Sequence, residues 1–236
     1  MKRTLVAVVA LLVVNGAFSQ VKFGAKAGVN ISSVSGIEVS VPGGAVEAIE
    51  NDGMAFGFHG GAFANISFGK YLGLQPELLF SMQGGKQKPN SDLLLYTPEL
   101  EAYSSDFRFN YIHLPILLEI KPIANAGLGI LVGPQFGLNI YNSETAMGVT
   151  VSGSDFEDML KDEFGTSPLK NFDVSLAFGL QYTFIEHLNV GLRYNLGLTN
   201  HFSVTQIVPV DYYTQVKSEA KGWKNRVFQL SAGWLF

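Results

Sequence analysis

The sequence predicts an all-β fold: an eight-stranded antiparallel up-and-down transmembrane β-barrel, with short turns at one end and long loops at the other. Three observations predict it. Apolar residues make up 47% of the 236-residue chain, yet beyond residue 20 they form no run of the roughly 20 residues a membrane helix needs. They alternate with polar or small residues instead, at the period of a strand with two unlike faces. The alternating segments are even in number, and the connections between them are by turns long and short, as in a bacterial outer-membrane barrel.

The chain opens MKRTLVAVVALLVVNGAFSQ. Lys2 and Arg3 precede an apolar run from Leu5 to Val14, followed by the small residues Ala17 and Ser19. This is the pattern of a secretory signal peptide over residues 1–19, cleaved before Gln20, and the run is too short for a membrane anchor. One domain, residues 20–236, is expected to follow. Acidic residues (20) outnumber basic ones (16) even before Lys2 and Arg3 are removed, which argues against nucleic-acid binding. The chain has no cysteine, so the fold does not depend on disulfides.

Eight segments alternate: 21–31, 54–66, 72–83, 107–120, 128–140, 172–184, 188–198 and 226–236. The sixth shows the rule in full. Phe172, Val174, Leu176, Phe178, Leu180, Tyr182 and Phe184 alternate with Asp173, Ser175, Ala177, Gly179, Gln181 and Thr183. In the seventh, Arg193 falls on the polar side of NVGLRYNLGLTN. Short connections are expected at 67–71, 121–127 and 185–187. A soluble barrel would turn its apolar face inward, but the opposite face here is too small and polar to cover an exterior while bulky residues fill the inside. Bulky residues toward lipid and small polar ones toward a narrow lumen satisfy both faces. Closure is required because hydrocarbon offers no partner to an open strand edge.

The runs LGLQPELLFSMQGGK (72–86), NYIHLPILLEIKP (110–122), LVGPQFGLNI (131–140), NVGLRYNLGLTN (189–200) and NRVFQLSAGWLF (225–236) resemble the PorT-like outer-membrane β-barrel family of Gram-negative bacteria. The resemblance covers essentially the whole mature chain. It implies residence in the outer membrane with the N terminus in the periplasm, contact with outer-membrane lipid, and no catalytic residues. It also implies that the terminal Phe236 is read by the barrel-assembly machinery.

The lumen face is expected to carry Lys22 and Lys26, His59, Gln75, Glu77 and Gln83, His113 and Glu119, Gln135, Asp173 and Gln181, Arg193 and Asn195, and Gln229 and Ser231. Lys26, Glu77 and Arg193 should share a layer, with Glu119 entering from the short-turn side. A buried charge needs a partner, so an ion-paired plug around Glu77, Glu119, Lys26 and Arg193 is expected; the alternative is a row of charges lining an open pore. Pro76, Pro115 and Pro134 fall inside strands and are expected to be accommodated by bulges. In the fourth strand Phe107, Phe109 and Tyr111 are odd-numbered whereas Ile112 to Ile120 are even, which predicts a bulge, or the start of an extension beyond the membrane, near residues 111–113. Tyr71, Tyr182, Phe184, Trp234 and Phe236 should form one aromatic girdle, with Phe56, Phe107, Tyr111 and Tyr141 in the other.

Other chemistry is sparse. His59, His113, His187 and His201 lie on separate elements without metal-ligand spacing, so a lumen histidine reads as a hydrogen-bonded filler rather than a ligand. The glycines of GLGILVGPQFG (127–137) have the wrong spacing for a phosphate loop and read as room-makers in the lumen. DFEDMLKDEF (155–164) reads as a short amphipathic helix over the barrel mouth, or as an acidic binding site. For an enzyme, only His201, Asp211 and the loop acids offer themselves, without a convincing arrangement. No cofactor or metal is expected. The functional expectation is a monomeric, non-enzymatic barrel whose long loops meet a surface ligand or protein partner, or serve membrane integrity. The alternative is a small channel or an accessory to transport across the outer membrane.

Overall fold

The computed structural model describes residues 21–41, 44–89, 105–124, 126–146, 149–164, 169–209 and 215–236. The expected signal peptide, the 90–104 connection and Asp211 lie outside them. Among the described residues, twelve strands form one sheet. Eight close the barrel: β1 (Val21–Val34), β3 (Gly44–Ser67), β4 (Leu72–Pro89), β5 (Ser105–Ile120), β6 (Leu128–Ala146), β8 (Phe172–Phe184), β9 (Leu188–Gly197) and β12 (Asn225–Leu235). Each pairs antiparallel with the next. β1 pairs β3 from Val21↔Ile66 to Ser32↔Ala55 and β12 from Gly24↔Leu235 to Val34↔Asn225, which closes the ring.

Short turns join β3 to β4, β5 to β6 and β8 to β9 at one end. The long connections at the other end are themselves partly folded. β2 (Ile37–Val41) pairs the outer part of β3 and also β11 (Gln215–Gly222), which pairs β10 (Phe202–Pro209). β7 (Val149–Ser152) pairs the outer part of β6, and α1 (Ser154–Phe164) follows it. In the sequence, 37–41 and 215–222 read as loop. Ile37, Val39 and Val41 do alternate with Glu38 and Ser40, but over five residues, too few to register beside the membrane strands.

The outside is the bulky face. Phe23, Phe58, Leu78, Leu114, Leu180, Leu192 and Leu230 are exposed on it, and in a hydrocarbon solvent this arrangement satisfies both the side chains and the hydrogen-bonded ladder. Tyr71, Tyr182, Phe184, Trp234 and Phe236 are exposed near the short-turn end, and Phe56 and Tyr141 toward the long-loop end.

Three expectations are corrected. Phe107 and Tyr111 are not girdle residues: both are buried, Tyr111 at 0% exposure. Alternation in β5 never slips, since Phe107, Phe109 and Tyr111 point inward in step with His113, Leu117 and Glu119. A register shift does occur, between Asn110↔Tyr141 and Tyr111↔Asn139. The extra residue is therefore Ile140 on β6, and the bulge belongs to the partner strand. Finally, the prolines need no bulge. Register is constant across Pro76↔Ile116 and Leu79↔His113, across Pro115↔Gln135 and Leu118↔Val132, and through Pro134↔Leu176; the missing donors cost local ladder bonds and leave the register intact.

Candidate functional site

The barrel interior is a stack of layers, each supplied by inward positions of several strands. At the short-turn end a vestibule of about 670 Å³ is lined by Lys22, Asn65, Lys70, Glu119, Lys121 and Glu186, among others. Lys22, expected in the lumen, is exposed at this rim. Glu119 forms the vestibule floor. Its carboxylate accepts from Gln181 Nε2 at 2.6 Å and Asn65 Nδ2 at 2.8 Å, and lies 3.2 Å from Lys121 Nζ.

Above it sits the ionic centre. Arg193 makes a bidentate pair with Glu77, Nη1 to Oε2 at 2.8 Å and Nη2 to Oε1 at 2.6 Å. Lys26 Nζ is 2.5 Å from the same Oε1, and Gln75 Nε2 donates to it at 2.7 Å. Two cations thus share one carboxylate that is 2% exposed. The fork geometry fits a planar guanidinium, and the amide supplies the further donor a buried carboxylate requires. Glu119 does not ion-pair with Lys26 or Arg193. It reaches the centre through amides, because Gln181 Nε2 also donates to Gln75 Oε1 at 3.1 Å.

The third layer is neutral. Asn30 Oδ1 lies 2.7 Å from His59 Nδ1 and accepts from Gln229 Nε2 at 3.0 Å, while Asn30 Nδ2 donates to Ser81 Oγ and to the carbonyl of Met82. Gln83 Nε2 donates to Ser81 Oγ and lies 2.9 Å from His113 Nε2. Gln135 donates to Ser175. Both His59 and His113 are buried and hydrogen-bonded rather than clustered, and among the described residues no group of three or more potential ligands is placed to hold a metal. Two glycines make the room: a Cβ on Gly137 would lie 2.7 Å from the His113 ring, and one on Gly129 2.8 Å from Glu119 Oε1.

Next come groups that sequence reasoning left apart. His201, buried, has Nε2 3.2 Å from Asp173 Oδ1 and from the Tyr111 hydroxyl, and Thr199 Oγ1 donates to Asp173 at 2.6 Å. Asn225 Nδ2 donates to the Tyr111 hydroxyl at 3.1 Å. The imidazole is 3% exposed and ties β5, β8 and β12 together.

An aromatic cluster sits at the long-loop end. Trp223, at the corner before β12, packs against Phe107 (4.7 Å between centroids), Phe202 (5.2 Å) and Phe109 (5.6 Å), with Val34 and Ile37 beside them. Its indole Nε1 donates to Gln87 Oε1 at 2.7 Å, as a buried Trp requires. Trp223 has φ +64°, a left-handed conformation that costs a bulky residue of order 1–3 kcal/mol and turns the ring into the mouth. The predicted helix is present as α1, with an exposed Asp158–Lys161 pair. The side chains of Phe156, Leu160 and Phe164, on which packing over the mouth would rest, lie outside the described ones.

Residues 16–203 match the family model described as outer membrane protein beta-barrel domain. The chain belongs to that family. No curated protein matches it. Among solved structures, this outer-membrane barrel is similar to OprG from Pseudomonas aeruginosa (14% identity, 92% of this chain and 96% of that one, TM-score 0.45). It is also similar to Neisserial surface protein A (13%, 90% and 95%, TM-score 0.44) and to Ail of Yersinia pestis, whose structure is in complex with the heparin analogue sucrose octasulfate (15%, 92% and 99%, TM-score 0.39).

Proposed function

We propose that the chain is a non-enzymatic outer-membrane barrel whose lumen is closed to solutes and whose long-loop side meets surface molecules. One observation carries the closure: from Glu119 to Trp223 each layer of the lumen is spanned by side chains that bond or pack across it, first ionic, then amide, then aromatic. Eight strands enclose a space that side chains can fill, and each buried charge has a partner, as a sealed interior demands. The short-turn end, with the N terminus, faces the periplasm in this reading, as barrels with short periplasmic turns do. The PorT-like resemblance of its strand motifs supports the same placement, together with delivery by the barrel-assembly machinery through Phe236; the chain is taken to act as a monomer. The folded β2–β11–β10 sheet gives the long-loop side a preorganised surface for a ligand or protein partner. Planar bilayer recordings test the closure. Purified protein is expected to insert without steady openings, and sustained porin-sized conductance from the wild type would replace this reading with the small channel.

A further inference from the structure

A second cavity, about 430 Å³, opens where the β1–β2 turn, the β11–β12 corner and Asn200 meet at the long-loop end. Ser33, Glu38, Asn200, Lys221, Lys224 and Arg226 are among its lining residues. Its charges divide into two sets. Glu38 stands opposite Lys221 in the β2–β11 register. Lys224 and Arg226, both exposed, have no carboxylate within ion-pair distance among the described residues. The crevice therefore carries a net positive charge on the two residues that share one face of the corner.

Its height along the barrel is the second observation. On the outward face of β12, Arg226 is followed by Phe228, Leu230 and Trp234, all exposed, and Arg226 pairs with Leu196 on one side and Ser33 on the other. Arg226 is thus the first polar group above the apolar residues on the outward face of β12. From Trp234 to Arg226, at roughly 3.3 Å per residue and about 40° of tilt, the rise is roughly 20 Å, close to the height of such a band. A guanidinium and an ammonium without acidic partners among the described residues therefore sit at the level where hydrocarbon gives way to headgroups, with exposed Leu196 and Leu198 beside them at the end of β9 and Phe228 below them on β12, an apolar wall that suits acyl chains.

We propose that this crevice binds the phosphate of an anionic membrane lipid. The Arg226 fork takes two phosphate oxygens and Lys224 supplies a second cation. The Ser33 hydroxyl and the Asn200 amide face the remaining headgroup oxygens, and the acyl chains lie along the apolar wall. The site does not depend on whether the lumen conducts, nor on which end of the barrel faces outward, since both leaflets present phosphate at this depth.

Native mass spectrometry of the full chain released from neutral maltoside micelles tests it, with phosphatidylglycerol and phosphatidylcholine of identical acyl chains as probes. Wild type is expected to retain phosphatidylglycerol about tenfold over phosphatidylcholine, and the Lys224→Gln/Arg226→Gln double variant to lose that preference, because charge-assisted contacts to phosphate are the strong ones. Arg226→Lys should keep part of it. Equal retention of the two lipids, or an unchanged preference in the double variant, overturns the proposal. Displacement of the lipid by millimolar inorganic phosphate overturns the lipid as the source and makes the crevice a free-phosphate site. Heat-shifted gel mobility checks that the variant is folded. If it is not, a salt titration of wild type decides: preference that falls as salt rises supports the site, and salt-insensitive preference overturns it.

Discussion

The two halves of the lumen are built on different physics. Toward the short turns, Lys26, Glu77 and Arg193 are held by directed bonds in which both carboxylate oxygens have cationic partners. Toward the long loops, Phe107, Phe109, Phe202 and Trp223 are held by packing. The ionic half is unforgiving of single changes, because removing one member strands the others. The aromatic half is tolerant of shape but not of lost volume. Under the closure proposed above, two seals of unlike chemistry stand in series, and neither alone decides whether the barrel conducts.

The largest effect should come from Glu77→Gln, which leaves Lys26 and Arg193 facing each other without their carboxylate. Stranding a buried charge costs about 3–5 kcal/mol, to be read as a lower urea midpoint for unfolding from lipid vesicles; a change under 1 kcal/mol would show that water fills the layer and the seal is soft. Phe109→Ala should follow, at about 3 kcal/mol for a large-to-small change at a fully buried ring. Bilayer recordings then separate the seals. Neither single variant should conduct steadily, whereas Glu77→Gln combined with Trp223→Ala should open, and conductance in Glu77→Gln alone would show that the cap does not seal. Gln229→Leu, which removes one bond to Asn30 while leaving its other partners, should cost about 1–2 kcal/mol. Smallest of all, Lys161→Ala breaks an exposed pair on α1 and should shift stability by less than about 0.5 kcal/mol.

The same contrast separates what could be read in the sequence from what could not. Period two placed Lys26, Glu77 and Arg193 on the inward face at matching depths, and the strand order brings them together. Glu119 was assigned to the same plug because depth alone does not say which amide intervenes, and Gln75 and Gln181 do. Phe107 and Tyr111 read as girdle residues when bulk is taken to mean lipid contact, whereas both point inward. Strict parity from Glu119 back to Phe107 already put those rings inside, and the apparent phase slip came from trusting hydrophobicity over alternation. The His201 and Asp173 contact was hidden for a different reason: it joins the corner after β9 to the start of β8, and a turn's path has no period to read. The folded loop sheet was missed because strands of five and eight residues carry little pattern of their own.

The seam between β1 and β12 joins stretches of chain about two hundred residues apart, and it sets an order of events. Loop-closure entropy must be met before that seam gives anything back, so until it forms the sheet is an open ribbon. Gln229 cannot reach Asn30 on such a ribbon, nor can the guanidinium of β9 reach the carboxylate of β4, which lies on the far side of the ring. A seam formed one residue out of register would turn the ammonium of β1 toward lipid. The interior contacts therefore act as a checkpoint on assembly: they reward the one correctly registered, fully closed ring, and every partial or slipped intermediate carries unpaired charge that marks it as unfinished.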